Sequence, residues 1–187
     1  MWRTPVAFAM SGGTMTRYTG DRFIMGLGAG GAYHPATRRS LGLPKLSSLS
    51  LMRDYLQTTR ALLAGEYVEY EGETLTLKNT RLGIKPPPQT PVYLGALGPK
   101  MLRLAGEFAD GASLNWCTPK QIKWSRECIN EGAHRAGRNQ SEIKMAEYIR
   151  VCVDEDVEIA RRGLARATMQ YALGGSIPTP TERNFGY

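Results

Sequence analysis

The residues between Pro91 and Phe108 have the types and spacing of an anion-binding turn. A short apolar run is followed by a proline-terminated glycine segment and then by an amphipathic stretch; the segment comprises Gly95, Ala96, Leu97, Gly98 and Pro99. The pattern predicts a buried strand, a turn and a helix start, where unpaired backbone N–H groups and the helix dipole favour a phosphate. Glycine allows a bulky anion near the backbone, and proline needs no N–H donor at the first helical position. An ordinary strand-to-helix turn explains the same residues equally well.

Other side chains with useful chemistry follow two further predicted strands. His34 lies in a glycine-rich loop, and a neutral imidazole can both donate and accept a hydrogen bond, so it is a weak catalytic candidate; a solvated loop histidine is the alternative. Asn115 could hydrogen-bond the edge of a bound ring and Trp116 could wall a pocket, although both could simply pack at the rim. Cys117 has no partnered base in the sequence, so no nucleophile is predicted.

Composition and charge exclude several classes of function. The chain has 24 basic and 17 acidic side chains, a net charge of +7, but no basic run of five or more residues, so no nucleic-acid partner is expected. The charge instead suits a solvated surface that attracts an anionic cofactor. The three cysteines and two histidines share no metal-ligand spacing, which predicts reduced thiols and no metal site.

The sequence gives no indication of a membrane or secretory protein. No apolar run approaches the ~20 residues that a membrane helix needs. The first ten residues lack the apolar core of a secretory signal. We therefore expect a cytoplasmic protein with no membrane partner.

Strand-like and helix-like segments alternate along the chain. Apolar runs predict strands near residues 22–27, 92–96, 112–115 and 143–153, and helical spacing predicts helices near 5–15, 50–64, 101–108, 119–136 and after 156. A small hairpin is predicted within 67–85, followed by an extended proline connector at 86–88. Four strand–helix units imply a parallel sheet covered by helices. A doubly wound open sheet and half of a (β/α)8 barrel both satisfy this pattern, which slightly favours the open sheet.

Three separated motifs resemble the luciferase-like oxidoreductase superfamily, in particular its deazaflavin-dependent, methylenetetrahydromethanopterin reductase-like branch. The motifs are GDRFIMGLGAG at 20–30, PVYLGALGPKMLRLAGEFADG at 91–111 and LNWCTP at 114–119. They occur in the family's order, with the hairpin and the proline connector between the first two. The resemblance extends over essentially the whole chain.

The resemblance implies a single luciferase-like α/β domain over residues 1–187, built as a partial TIM (β/α)8 barrel of about four parallel strand–helix units plus a small hairpin excursion. A complete family member is considerably longer, so this chain resembles an incomplete barrel with an irregular tail at 176–187. Family members bind coenzyme F420 or FMN at the carboxyl ends of the strands. Carried over by position, the cofactor-binding residues would be Gly28, Ala29, Gly30, Gly95, Ala96, Leu97, Gly98, Pro99 and Asn115.

The resemblance implies an oxidoreductase that transfers a hydride between coenzyme F420, or alternatively FMN, and a small organic substrate. The expected partners are thus a phosphorylated cofactor and a small molecule. The alternative is a truncated, non-catalytic flavoprotein-like module. Because a half-barrel leaves two open sheet edges, and such edges pair with other chains, we also expect a homo-oligomer.

Overall fold

Helices and strands alternate through the chain in the predicted order. The computed structural model describes residues 3–30, 35–84 and 88–174. Its elements are α1 (Pro5–Tyr18), β1 (Met25–Leu27), α2 (Pro35–Ser40), α3 (Ser48–Leu63), β2 (Val68–Glu71), β3 (Thr76–Thr80), β4 (Val92–Gly95), α4 (Pro99–Phe108), β5 (Gly111–Asn115), α5 (Pro119–Arg135), β6 (Lys144–Tyr148) and α6 (Val157–Gly174). The short helix α2 was not predicted. No helix within the described ranges is both long and apolar enough to cross a membrane.

Four strands form one parallel sheet in the order β1-β4-β5-β6, while β2 and β3 form a separate antiparallel hairpin. The order of the four parallel strands follows the chain without reversal. A doubly wound sheet would reverse its order at a switch point and carry helices on both faces. The slight preference of the pattern for that fold is therefore wrong. The sheet is an arc of a (β/α)8 barrel, as the resemblance implied.

The two faces of this sheet differ sharply in burial. One face packs against the helices through Met25, Leu27, Val92, Leu94, Ala112 and Leu114, all of them buried. The opposite face, which in a barrel is the interior, carries small and polar residues that are exposed or half-buried, among them Gly26, Tyr93, Gly95, Ser113, Asn115, Ala146 and Tyr148. Alternation of side chains along each strand produces this division.

Two strands are shorter than the sequence predicted. β1 begins at Met25 rather than at residue 22, and β6 ends at Tyr148 rather than at residue 153. Val151 and Val153 are 75% and 89% exposed, and the described residues provide no strand to pair with them. Apolar β-branched residues predict strand from their type alone, whereas a strand also requires a hydrogen-bonding neighbour.

The hairpin is attached to α3 through the buried carboxylate of Asp54, which is 2% exposed. One oxygen of Asp54 accepts a hydrogen bond of 2.8 Å from the Tyr70 hydroxyl, and the other accepts 2.7 Å bonds from the Thr74 amide and hydroxyl. A Cβ at Gly72 would lie 2.6 Å from Asp54 Cγ, so the turn passes too close for any other residue. Burial and the bond to Asp54 raise the pKa of Tyr70 to about 12, which keeps its phenol a donor at neutral pH.

We expect Asp54→Ala to lower the free energy of unfolding by about 3 kcal/mol, because it leaves three half-buried donors of Tyr70 and Thr74 without their acceptor. Asp54→Asn keeps one acceptor oxygen and the side-chain volume, so it should lower the free energy of unfolding by clearly less. Urea unfolding followed by circular dichroism measures both variants. Equal midpoints for Asp54→Ala and the unchanged chain would show that Asp54 does not hold the hairpin.

A candidate site at the carboxyl ends of the strands

The glycine segments predicted to bind a cofactor lie along one rim of the sheet. All four strands are parallel, so the loops after β1, β4, β5 and β6 leave the sheet at the same edge. At this edge the backbone of β4 lies close to that of β1 and of the residue that follows β1. A Cβ built at Gly95 would lie 3.5 Å from the Leu27 carbonyl oxygen and 3.8 Å from Gly28 Cα.

The open face beside this rim is built from residues without bulk. Gly95, Ser113 and Ala146 share one register row across β4, β5 and β6. Gly26 and Gly28 lie on β1 and just after it, and a Cβ built at either of them has no described residue within 4 Å apart from its chain neighbours. A flat ring can therefore lie close to the backbone along this face. The sequence analysis did not identify Ser113, because a lone serine in a strand has no distinguishing pattern.

Gly98 begins α4 without a side-chain cap, unlike the threonine and serine residues that cap α1, α3 and α5. The N–H groups of Lys100 and Met101, at the second and third helical positions, therefore receive no acceptor from a capping side chain. Pro99 at the first position has no N–H, and among the described residues beyond its chain neighbours none lies within 4 Å of a Cβ built at Gly98. A helix start without a side-chain cap and with room beside it suits a phosphate.

Other residues of the predicted turn contribute shape rather than donors. The Ala96 N–H donates to the Ser113 carbonyl at 3.1 Å, so it is already used within the sheet. Leu97 is half-buried and packs against the core. Arg103 donates to Glu131 on α5 at 2.6 Å, which directs its charge away from the turn. The uncapped N–H groups at this turn are therefore those of the first turn of α4, after Gly98 and Pro99.

The loop after β1 contains the remaining predicted contacts. Ala29 packs against the core, and Gly30 has a φ of 55°, a left-handed conformation that glycine adopts without strain. Among the described residues beyond its chain neighbours, none lies within 4 Å of a Cβ built at Gly30. His34, the weak catalytic candidate, lies outside the described residues, so its role stays a prediction.

The segment after β5 is tied to the end of β6. The Trp116 amide donates to the Tyr148 carbonyl at 3.1 Å, and the Cys117 amide donates to Glu147 Oε1 at 2.7 Å. Burial, together with the negative charge of Glu147, raises the pKa of the Cys117 thiol to about 11. The thiol is thus protonated at neutral pH and is not an activated nucleophile.

Trp116 has a φ of 59°, a left-handed conformation that is unusual for a bulky residue. Its ring stacks on Arg150, whose Cζ lies 4.0 Å from the Trp116 ring centroid and 5.0 Å from that of Tyr148. The sequence analysis placed Trp116 at this rim but assigned Arg150 to a strand and no function. Tyr148 and Arg150, an aromatic and a basic residue two positions apart after an apolar run, were the available signal.

The amino ends of the strands carry a structural network instead. Arg60 donates to both carboxylate oxygens of Asp110, which also accepts from the Val92 amide at 2.8 Å. Arg138 donates to the carbonyls of Gly106 and Ala109. A cavity of about 810 Å³ lies beside this network, on the side of the sheet remote from the glycine turns. Barrel enzymes carry out their chemistry at the carboxyl ends, so we assign this network to stability.

No group of three or more histidine, cysteine, aspartate or glutamate side chains within the described ranges could hold a metal ion. The features at the strand ends are of another kind. Small residues line a flat face, an uncapped helix start lies beside it, and polar and aromatic side chains follow the next two strands.

Several known proteins are similar to this chain in sequence. The family model for luciferase-like monooxygenases matches residues 1–185. A 5,10-methylenetetrahydromethanopterin reductase from Archaeoglobus fulgidus is 34% identical over 181 residues, which cover 97% of this chain and 53% of that protein. An F420-dependent glucose-6-phosphate dehydrogenase from Mycolicibacterium gilvum is 27% identical over 160 residues, 83% of this chain and 48% of that protein.

A solved structure extends the similarity to the fold. The coenzyme F420-dependent tetrahydromethanopterin reductase from Methanopyrus kandleri superposes with a TM-score of 0.80 at 29% identity. The match covers 97% of this chain and 56% of that one. The chain therefore spans about half the length of the relatives it matches, and four strands correspond to half of an eight-stranded barrel.

Proposed function

The chain belongs to the luciferase-like monooxygenase family, and we propose that it binds coenzyme F420 as part of an oxidoreductase that transfers a hydride to or from a small organic molecule. The observation that carries the proposal is the uncapped start of α4 beside the small-residue face of the sheet. FMN also presents a phosphate and a flat ring, so it is the alternative cofactor. Coenzyme F420 is preferred because the relative from Mycolicibacterium gilvum and the solved structure from Methanopyrus kandleri are both named as F420-dependent enzymes. The relative from Archaeoglobus fulgidus is named, like that solved structure, as a methanopterin reductase.

In this proposal the bound cofactor supplies the hydride chemistry, and the protein supplies position, charge and shelter from water. The N–H groups of Lys100 and Met101 hold the phosphate, while Gly98 and Pro99 leave room for it. Gly28, Gly95 and Ser113 form the surface on which the ring lies. Asn115, at the end of β5, hydrogen-bonds the ring edge.

The substrate is proposed only as a class. The relatives carry names of enzymes for two unrelated compounds, a methanopterin derivative and a sugar phosphate, yet both relatives match most of this chain. We therefore infer that this half of the barrel contributes to cofactor binding more than to the choice of substrate. Side chains that select a substrate would lie at the periphery of the rim, where Trp116 and Tyr148 are found.

The test is a calorimetric titration of the purified protein with coenzyme F420 and, separately, with FMN. We expect saturable 1:1 binding of coenzyme F420 with a Kd at least tenfold lower than that for FMN. The opposite order would make FMN the cofactor. Absence of binding for both would refute the proposal. Turnover of a reduced substrate in the presence of coenzyme F420 would then distinguish a catalytic chain from a binding module.

A self-associating module without catalysis is the second candidate, favoured by the two outer strands. In the described sheet β1 pairs only with β4, and β6 pairs only with β5, so each presents an unpaired edge. Exposed edges pair readily with other strands, which supports a homo-oligomer. Light scattering of the purified protein measures the assembly state.

The cysteines Cys117, Cys128 and Cys152 are free, which supports a reducing compartment such as the cytoplasm.

A further inference from the structure

We propose that Arg150 binds a carboxylate or phosphate group of a ligand at the strand-end rim, with Trp116 as the residue that positions it. The inference rests on the proposed function, because it places a second anion-binding group on the same rim as the start of α4. It goes beyond that function by naming a residue and a ligand chemistry after β6.

The first step is the location of the cluster. Trp116 directly follows Asn115 at the end of β5, and Arg150 lies two residues after the last residue of β6. Asn115 and Tyr148 are register partners on the open face of the sheet. The guanidinium of Arg150 therefore lies at the carboxyl ends of two adjacent strands, on the rim where a ligand of this fold binds.

The second step is the orientation of the guanidinium. Arg150 Cζ is 4.0 Å from the Trp116 ring centroid and 5.0 Å from the Tyr148 ring centroid, so two aromatic rings hold it in place. Stacking uses the face of a guanidinium, while its N–H groups lie in its plane and project from its edges. A stacked arginine thus keeps the geometry that carboxylates and phosphates bind through paired hydrogen bonds.

The third step is the backbone at Trp116. A left-handed conformation costs a bulky residue of order 1–3 kcal/mol, and such strain occurs mainly where it serves a site. Here the strained residue is held by the bond from its amide to the Tyr148 carbonyl, and its ring is the nearer of the two that contact Arg150. The conformation fixes the position of the indole, and the indole fixes the guanidinium. Trp116 is accordingly a positioning residue.

The anion has two possible sources, the cofactor itself or the substrate. Arg150→Gln removes the charge, and Arg150→Lys keeps it while losing the planar, paired donors. Each protein is titrated with coenzyme F420, and then the cofactor-saturated protein is titrated with inorganic phosphate as the probe. Saturation with the cofactor first prevents phosphate from binding at the start of α4. Calorimetry follows both titrations, because it needs no reporter residue and therefore also measures the Trp116 variants.

A tenfold or larger rise in the Kd for coenzyme F420 in Arg150→Gln identifies the cofactor as the source. An unchanged Kd for coenzyme F420, with at least a tenfold loss of phosphate affinity, identifies the substrate. In either case Arg150→Lys should raise the affected Kd about threefold. Unchanged affinity in both titrations overturns the inference.

Two controls separate this result from other failures. If Arg150→Gln does not fold, as judged by circular dichroism, the comparison of Arg150→Lys with the unchanged protein decides, and equal affinities there overturn the inference. Trp116→Phe keeps an aromatic face and should retain most of the affinity for the anion. Trp116→Ala should lose that affinity although the charge of the protein is unchanged. Failure of the unchanged protein to bind coenzyme F420 refutes the proposed function instead, and phosphate titration of the free protein and of Arg150→Gln then tests Arg150 by itself.

Discussion

Gly132→Ala is expected to lower the free energy of unfolding by about 3 kcal/mol or more, because it forces α4 and α5 apart. A Cβ at Gly132 would overlap the backbone carbonyl oxygen of Arg103, and a Cβ at Gly106 would overlap that of Ile129. The two helices thus pack backbone against backbone at these glycines. Overpacking costs ~1–3 kcal/mol when side chains can rearrange, and here the obstructing atoms belong to the main chain, which cannot.

The matched control is Gly163→Ala on α6. Gly163 is exposed, and a Cβ there would approach only the end of the Cys152 side chain, at 3.0 Å. Alanine favours a helix over glycine by about 1 kcal/mol, so this variant should be as stable as the unchanged chain or slightly more stable. Urea unfolding of the two variants provides the comparison. If Gly132→Ala and Gly163→Ala unfold at the same urea concentration, α4 and α5 are not in such close contact.

The same contact connects the core to the candidate site. α4 carries the uncapped helix start, and its position relative to the sheet depends on α5 behind it. The salt bridge between Arg103 and Glu131 lies at this same crossing, since the Arg103 backbone faces Gly132 and Glu131 precedes it. A Gly132→Ala protein that still folds should therefore bind the phosphate of a ligand less tightly, since a displaced helix start no longer presents its N–H groups correctly.

The fold could be predicted from the sequence wherever a local rule decides it. Thr118 and Pro119 mark the start of α5, and the structure has the full reciprocal cap there, with Gln121 bonded back to Thr118. The choice between an open sheet and a barrel arc could not be made from periodicity, because both alternate strands and helices. It depends on strand order and on which face the helices cover, which are properties of the assembled sheet.

The candidate site was predictable to a similar degree. Gly95 and Gly98 were identified because glycine at a strand end has a physical reason that is visible in the sequence. Arg150 was not identified, because its position depends on the left-handed turn at Trp116 and on the early end of β6. Neither follows from residue type. The role of His34 stays a prediction.

Gly98→Asp is expected to weaken binding of a phosphorylated cofactor by about 10- to 100-fold, which corresponds to about 1.4–2.7 kcal/mol. Gly98 has φ −85° and ψ 153°, a conformation open to any residue, and its Cβ position is empty, so the fold should accept the change. An aspartate here would accept hydrogen bonds from the first turn of α4. It would thereby occupy the donors proposed for the phosphate and add a like charge beside it.

Gly98→Asn separates these two causes. Asparagine caps a helix about as well as aspartate but carries no charge, so it should occupy the same donors and lose affinity less than Gly98→Asp. The difference between the two variants is electrostatic and should shrink as salt is raised, because exposed charges are screened. Both variants should unfold at or above the urea concentration that unfolds the unchanged chain, since each gains a cap. Cofactor affinity unaffected by either substitution would contradict the assignment of the α4 start, because a helix start already bonded to its own cap cannot also hold a phosphate.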